Sequence, residues 1–292
     1  MLTRDLQELL LWSFGIGGVI AIVYLLFLWI LRLRGVFVTR TKFGVTMVFD
    51  SVDADKTPVR LLNVNGTYQS VSYVPKDLRA ELAVEYHRLM AGLIAQATTT
   101  PQPAPTGREE PRARVLILGG GGFSLPKYLI AHNPALDVTA VEIDPKIIKL
   151  ARERFFLTEV LNESNAEAEG RAHIVADDAW KTLQDFSSGS FSVIVNEVFA
   201  GKRPLGPMKT AEGAQLVHNR LCKGGLYLAD IRCPLEGSQS APLTEVVEEF
   251  GRIFTHVAYV PEWPDTPKTA GNNVLIATDA EYSYPEGAIV IK

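Results

Sequence analysis

Four successive glycines, Gly119–Gly122, are the part of this chain best suited to hold a ligand against bare backbone. They follow the apolar run Val115–Leu118, and an acid, Glu142, closes a second apolar run further on. An apolar run that ends in glycine predicts a buried strand followed by a tight turn. Glycine lets a ligand approach the backbone, and an acid about 20 residues later can accept both hydroxyls of a ribose. The order is typical of the first βαβ unit of a nucleotide-binding doubly wound sheet.

Two later strand ends also carry acids. His173–Val175 and Phe191–Asn196 predict a third and a fourth strand, which run into Asp178 and Glu197. In an open α/β sheet, ligands bind outside the carboxyl ends of the strands, so these residues should meet in one crevice. The expected site comprises the glycine turn and the strand-end acids, namely Gly119, Gly120, Gly121, Gly122, Glu142, Asp178 and Glu197.

The glycine turn departs from the dinucleotide pattern G-x-G-x-x-G. Gly119 and Gly121 are followed by Ser124 where a third glycine is required. That departure disfavours an NAD-dependent oxidoreductase. A wide turn before the strand end Glu142-Ile143-Asp144 suits an adenosyl-sulfonium ligand better than a pyrophosphate.

The composition narrows the class of protein. A formal net charge of -4 over 292 residues argues against nucleic-acid binding. The two cysteines, Cys222 and Cys233, do not form a Cys-x-x-Cys pair. We expect reduced thiols and no metal site.

The segment Leu9–Leu31 carries no charge and is long enough to cross a bilayer. Trp12 and Trp29 lie towards its two ends, as interfacial aromatic residues do. Basic residues crowd its C-terminal side, at Arg32, Arg34, Arg40 and Lys42. The positive-inside rule therefore predicts a single-pass protein of the cell membrane, anchored through residues 9–31, with its large domain in the cytoplasm.

Small residues at spacing four lie on one face of this segment, at Ser13, Gly17 and Ala21. Such a face permits close helix pairing, so a homodimer is a hypothesis.

The rest of the chain divides by pattern. Residues 35–73 alternate in hydropathy, and Asn65-Gly66 predicts a hairpin. Pro75–Ala95 has helical periodicity, and Ala97–Pro111 is rich in Pro and Thr, as a linker is. We predict an anchor over residues 1–34, a β-hairpin domain with a helix over 35–96, a linker over 97–113 and a nucleoside-binding domain over 114–292.

Several motifs together resemble the polyamine aminopropyltransferase (spermidine synthase) family. The hairpin Leu62–Gln69 is similar to the family's L-x-x-[DN]-G-x-x-Q, with one shift in spacing, and Glu85-Tyr86-His87 is similar to its E-x-x-Y-H/Q helix. The family's G-G-G-D-G turn, V-E-I-D strand end and G-D-A/G pattern fall on Gly119–Phe123, Val141–Asp144 and Asp177–Ala179. The resemblance covers about Val59 to Thr278.

The resemblance implies a Rossmann-like class I methyltransferase fold, with a seven-stranded, mostly parallel sheet and a small N-terminal β-sheet domain. It also implies a site for S-adenosylmethionine or its decarboxylated form, with methylthioadenosine as a product. Glu142 would hold the ribose, Ile143 of the same strand end would also contact the cofactor, and Asp178 with Ala179 would contact the adenine edge. Gln69 and His87 would lie at the sulfonium end.

Two departures bear on activity. The aspartate of the family's glycine turn falls on Gly122, and its D-S-S-D loop falls on Glu197-Val198-Phe199-Ala200. The loop also brings Lys202 and Arg203 towards the crevice, a charge unsuited to a diamine. Truncating one partner of a buried charged hydrogen bond typically costs about 2–5 kcal/mol. We therefore expect polyamine synthesis to be severely weakened.

The main functional hypothesis is a membrane-anchored, spermidine synthase-like transferase that uses an adenosyl-sulfonium cofactor. Its acceptor would be a small molecule, with an amine as one candidate. Glu197 is the first candidate for the catalytic base and His87 the second. Two alternatives stay open, an S-adenosylmethionine-dependent methyltransferase and a non-catalytic nucleoside-binding pseudoenzyme.

Overall fold

The computed structural model describes residues 4–99, 112–200 and 203–292. Its first element is a 30-residue helix, α1 (Arg4–Leu33). The stretch Gly15–Leu33 has a mean hydropathy of 2.4, and none of it is buried inside the protein. This helix is therefore long and apolar enough to span a membrane.

A four-stranded antiparallel sheet follows, in the order β1-β2-β3-β4. Its strands are β1 (Phe37–Thr41), β2 (Gly44–Val52), β3 (Pro58–Val64) and β4 (Thr67–Tyr73). The predicted hairpin is confirmed, because Asn65 and Gly66 join β3 to β4 with φ angles of 49° and 80°. Two consecutive positive φ angles suit the right-handed twist of the flanking strands, and Asn-Gly adopts them at low cost.

The large sheet is α/β, as predicted, but within the described residues it has eight strands and not seven. Its order is β14-β12-β13-β11-β8-β5-β6-β7, and the five strands from β11 to β7 run parallel. The additional strand, β14, has only two residues, too few to show a pattern in sequence. The strands are β5 (Ala113–Leu118), β6 (Leu136–Val141), β7 (Ala172–Val175), β8 (Phe191–Asn196), β11 (Leu221–Cys233), β12 (His256–Val260), β13 (Gly271–Thr278) and β14 (Ile289–Val290).

Helices accompany this sheet, and a two-stranded ribbon of β9 (Phe199–Ala200) and β10 (Arg203–Pro204) follows β8. The helices are α2 (Glu85–Thr99), α3 (Ser124–His132), α4 (Pro145–Arg154), α5 (Leu157–Glu163), α6 (Ala179–Asp185), α7 (Ala211–Arg220) and α8 (Ala241–Ile253). Asp144 caps α4 by accepting a hydrogen bond from the amide of Lys146.

The helix predicted from Pro75 begins only at Glu85, after a short 3₁₀ turn at Lys76–Leu78. Side chains from elsewhere take the carbonyls that a continuous helix would use. Lys127 Nζ donates to the Arg79 carbonyl (3.2 Å), and Arg88 Nε donates to the Leu82 carbonyl (2.9 Å). These bonds offer the backbone an alternative to the helical ladder, so helical periodicity alone overstates the length.

Helix α2 packs on the large sheet. Its buried residues Met90, Leu93 and Ile94 share one core cluster with Val193 of β8 and Leu228 of β11. This packing fixes the start of α2 above the C-terminal ends of those two strands. The predicted division into four segments stays a prediction, and residues 100–111 of the predicted linker lie outside the described residues.

A buried lysine joins the small sheet to the large one. Lys127 of α3 is 1% exposed and donates to Ser72 Oγ of β4 (2.8 Å) and to the Phe155 carbonyl (2.6 Å). Burial lowers the pKa of Lys127 from 10.5 to about 7. Together with the Arg79 carbonyl, these acceptors hold a group whose charge is costly at neutral pH.

Lys127→Met should change how stability depends on pH. Because the folded-state pKa lies below the unfolded value, the unfolded chain binds more protons between pH 7 and pH 10. Wild-type stability relative to Lys127→Met should therefore rise with pH across this range, by at most about 1.4 kcal/mol per pH unit. Urea unfolding at several pH values measures this difference. The exposed Lys149→Met is the control, and a difference that does not change with pH contradicts the assignment.

Candidate active site

A cavity of about 490 Å³ opens at the C-terminal edge of the parallel strands. That volume is within the usual range for small-molecule sites. Strands β5, β6 and β8 end at it, and β11 lines it at Asp230. The small sheet and the start of α2 form its other wall. Ten of the eleven predicted site residues line it, namely Gln69, His87, Gly119, Gly120, Gly121, Glu142, Ile143, Asp178, Ala179 and Glu197. The strand tips thus converge as predicted.

The glycine turn packs tightly against its neighbours. Gly119 and Gly121 have φ angles of +93° and +49°, which favour glycine. A Cβ on Gly119 would lie 2.7 Å from the carbonyl oxygen of Glu197, and one on Gly120 would lie 2.5 Å from the ring of Phe123. The protein's own packing therefore requires these glycines, in addition to any ligand.

Gly122 is the one predicted residue that does not line the cavity. It is buried behind the turn, and its amide donates to Ser70 Oγ of β4 (2.7 Å). A Cβ at this position would lie 2.7 Å from the Ser70 Cβ and 3.2 Å from the Phe155 ring. The prediction that Gly122 borders the ligand site stays a prediction, and Ser70 contacts the turn at this position. A side chain at position 122 would have to displace Ser70.

Glu142 closes the turn from the next strand. Its Oε2 accepts the amides of Gly120 and Gly121 (both 3.1 Å), and its Oε1 accepts the amide of Asp144 (3.0 Å). Burial raises the pKa of Glu142, and the three backbone hydrogen bonds oppose that rise. A carboxylate has about four acceptor positions, so one is left for a ligand while these bonds are intact.

Asp178 and Ala179 begin helix α6 at the tip of β7. The Asp178 carboxylate caps the helix by accepting the amide of Lys181 (3.1 Å), and Ala179 is buried beneath it. Gln69 is exposed on β4 across the cavity from this helix end. The cavity therefore has polar groups on both walls.

The two catalytic candidates are in direct contact. His87 Nε2–H donates to Oε1 of Glu197 across 2.6 Å, and the side chains are only 8% and 14% exposed. A carboxylate can only accept, which fixes the direction of this bond. His87 Nδ1 is buried and has no hydrogen-bond partner within the described residues. The pair resembles the base-and-orienter arrangement of many active sites.

Asp230 is the site residue that sequence reasoning missed. It is 2% exposed and lines the cavity from inside β11, three residues before the last residue of the strand, Cys233. Ala229 pairs with Asn196 in parallel register, which places Asp230 directly beside Glu197 on the same face of the sheet. Burial and then the charge of Glu197 raise the pKa of Asp230 well above its usual range. A lone acid ending the apolar run Leu226–Ala229 is the signal available in the sequence.

Tyr86, beside His87 on α2, also lines the cavity. Burial is the largest cause that raises the pKa of Tyr86, and the charges of Glu197 and Asp230 raise that pKa further. Of the two basic residues expected near the crevice, Lys202 lies outside the described residues, and Arg203 is described only as part of β10.

Comparison with known proteins settles the family. The model of the spermine/spermidine synthase domain matches residues 85–274, which include α2, the glycine turn and all four acidic strand ends. The chain belongs to this family. The membership agrees with the resemblance carried by the hairpin, the glycine turn and the strand-end motifs.

Individual relatives are distant. A polyamine aminopropyltransferase of Oceanobacillus iheyensis is 27% identical over 75% of this chain and 40% of its own length. An eEF1A lysine and N-terminal methyltransferase homolog of Drosophila melanogaster is 33% identical over 60% of this chain and 25% of its own length. The chain thus spans well under two thirds of these relatives.

Among solved structures, a probable spermidine synthase from Corynebacterium glutamicum has a TM-score of 0.67. It is 24% identical, and the match covers 85% of this chain and 81% of that one. At this identity the likeness establishes the fold, which is the Rossmann-like fold of spermidine synthases.

The contact between Gly122 and Ser70 yields a stability prediction. Gly122→Asp should lower the free energy of unfolding by about 1–3 kcal/mol, because the new Cβ overlaps Ser70. Ser70→Gly should recover most of that loss when its own effect is subtracted. Denaturant unfolding of the two single variants and the double variant measures the coupling. Additive effects would show that Ser70 does not exclude the aspartate.

Proposed function

We propose that this protein transfers an aminopropyl group from decarboxylated S-adenosylmethionine to a small-molecule amine and releases methylthioadenosine. The observation that carries the proposal is the His87–Glu197 pair, 2.6 Å apart in the same cavity as the glycine turn. Family membership supports the reaction class. The motif comparison alone leads us to expect weakened synthesis. We propose competent synthesis instead, because Asp230 adds an acid that the motif comparison does not count.

The residues around the turn fit an adenosine moiety. Bare backbone at Gly119–Gly121 forms one wall of the cavity, and Glu142 retains one acceptor position for a ribose hydroxyl. Asp178 and Ala179 would contact the adenine edge. Gln69 and His87 would lie at the sulfonium end. These roles follow the family's motifs, placed on the residues that line this cavity.

Decarboxylated S-adenosylmethionine, when bound, supplies a carbon made electrophilic by the adjacent sulfonium. The chain must then orient the acceptor nitrogen and remove one proton from it. Glu197 is positioned for the proton, because His87 occupies only Oε1 and Oε2 is left to face the acceptor. His87 holds the carboxylate in place. This arrangement can contribute to catalysis by holding the acceptor nitrogen near the electrophilic carbon and by holding the base in a fixed position.

We further propose that α1 anchors the protein in the cell membrane with the large domain in the cytoplasm. Its length and hydropathy support a span, and the basic residues that follow it support the orientation. Pairing of two chains through Ser13, Gly17 and Ala21 belongs to the same proposal. Decarboxylated S-adenosylmethionine is a cytosolic metabolite, which fits this orientation.

The proposed contact between Glu142 and the ribose is best tested by changing the ligand and not the protein. Replacing Glu142 would also remove three backbone hydrogen bonds at the turn and the start of α4. Methylthioadenosine should bind the full chain in detergent, and its 2′,3′-dideoxy analogue should bind about tenfold to a hundredfold more weakly. The loss corresponds to one hydrogen bond to a charged group. Isothermal titration calorimetry measures both affinities, and equal affinities would remove Glu142 from the ribose site.

Glu197→Gln should lower kcat for aminopropyl transfer to putrescine by about 10²–10⁴-fold, because the amide cannot take the proton. Its affinity for methylthioadenosine should stay within about threefold of wild type. Chromatographic detection of spermidine and methylthioadenosine gives kcat, and the exposed Glu163→Gln is the matched control.

Wild-type protein that binds methylthioadenosine but forms no product with any amine would favour the pseudoenzyme. Methylated product from S-adenosylmethionine would favour the methyltransferase.

A further inference from the structure

Asp230 is a buried acid with an unpaired oxygen. Its Oδ1 accepts no hydrogen bond from any residue that the structure describes, although the residue is only 2% exposed. Most buried polar atoms are hydrogen-bonded, and an exception calls for an explanation. Asp230 lines the cavity, so a ligand in the cavity can supply the missing partner.

The surroundings of Asp230 are negative. Glu197 lies beside it, directly after β8, and Glu262 lies in the segment between β12 and β13. Both acids raise the pKa of Asp230. The cation that opposes them is Arg232, which is exposed and whose effect is the smallest of the four contributions. Two acids, Asp230 and Glu197, line this end of the cavity, and neither Arg232 nor any Lys lines it within the described residues. A positively charged group is therefore the ligand that this end of the cavity favours.

Two of these acids are not equivalent to Asp230. Glu262 is already engaged, since its Oε2 accepts the backbone amide (2.6 Å) and the side-chain amide (3.0 Å) of Asn272. Glu197 has one oxygen bound to His87. Asp230 and the second oxygen of Glu197 are therefore the acceptors that face the cavity together.

An organic cation fits this pair better than a metal ion. Within residues 4–99, 112–200 and 203–292, no group of three or more His, Cys, Asp or Glu side chains is arranged to hold a metal. Neighbouring parallel strands lie about 4.8 Å apart, so two carboxylates on adjacent strands can both reach one ammonium group. An ammonium has three N–H donors, enough for both acids.

We propose that Asp230 and Glu197 together bind the ammonium group of the acceptor amine, with Asp230 as the second carboxylate that residues 197–200 lack. The inference rests on the proposed function and adds its acceptor-binding residue. It also commits the acceptor to a class, a primary amine that is cationic at neutral pH. The neighbouring strand thus provides the charge that Phe199 and Ala200 cannot.

The charges balance through the transfer. The ammonium R–NH₃⁺ gives one proton to Glu197, and the lone pair of the resulting amine forms the new C–N bond. The C–S bond breaks and its electron pair stays on sulfur, which becomes a neutral thioether. The product nitrogen is again cationic, as R–NH₂⁺–R′, and the Asp230 side chain lies opposite it.

The test measures binding of putrescine to the full chain saturated with methylthioadenosine, where no turnover takes place. Asp230→Asn should weaken putrescine binding at least about tenfold, since it removes a charged hydrogen bond. Its affinity for methylthioadenosine should be unchanged. The exposed Asp185→Asn should bind both ligands as wild type does. Equal putrescine affinities for wild type and Asp230→Asn would overturn the proposal.

A second arm uses unaltered protein, in case Asp230→Asn fails to fold. Butane-1,4-diol has nearly the shape of putrescine without its charge, and the proposal requires it to bind at least about tenfold more weakly. Diol binding equal to that of putrescine overturns the acid pair. Failure of methylthioadenosine to bind would instead count against the proposed function, so the two failures are distinguishable.

Discussion

The carboxylate of Glu142 holds the glycine turn in place, and the candidate site depends on that interaction. One buried side chain accepts three backbone amides, two from the turn and one from the start of α4. Without it, two amides at a strand end would face a cavity with no acceptor, a costly arrangement in a buried site. The turn therefore has its shape before any ligand binds. Such preorganisation reduces the conformational entropy that the backbone loses when a ligand binds.

The second constraint is the register of the parallel strands. Because β8 pairs with β5 on one side and β11 on the other, the residues that follow Leu118, Asn196 and Ala229 end at one level. Glu197 and Asp230 become neighbours by that register, and α2 brings His87 to Glu197 from above. The small sheet closes the other side, through Ser70 at the turn and Ser72 at Lys127. Each acid is thus placed by an element of the core and not by a flexible loop.

Much of this arrangement can be predicted from local patterns. Glu142, Asp178 and Glu197 each follow an apolar strand, and the rule that parallel strands end at one edge of a sheet is enough to bring them together. The family motifs add Gln69 and His87 to the same cavity. Local pattern also locates the glycine turn. It does not reveal that Ser70, 52 residues away, contacts Gly122 of that turn.

The other misses have similar causes. Asp230 looks like one polar residue in a buried strand, and its importance depends on which strand lies beside β11. The late start of α2 depends on Lys127 and Arg88, which take carbonyls from the segment before it. Contacts with Lys127 and with the neighbouring strand are long-range in sequence, whereas periodicity and strand ends are local. Counting acids by motif alone therefore underestimates the negative charge of the cavity.

The most direct measurement is a crystal structure of the full chain with methylthioadenosine and putrescine bound. The account predicts a ribose hydroxyl within about 3 Å of Glu142 and one putrescine nitrogen within about 3 Å of carboxylate oxygens from both Glu197 and Asp230. A nucleoside seated away from the glycine turn, or a diamine that contacts neither acid, would contradict it.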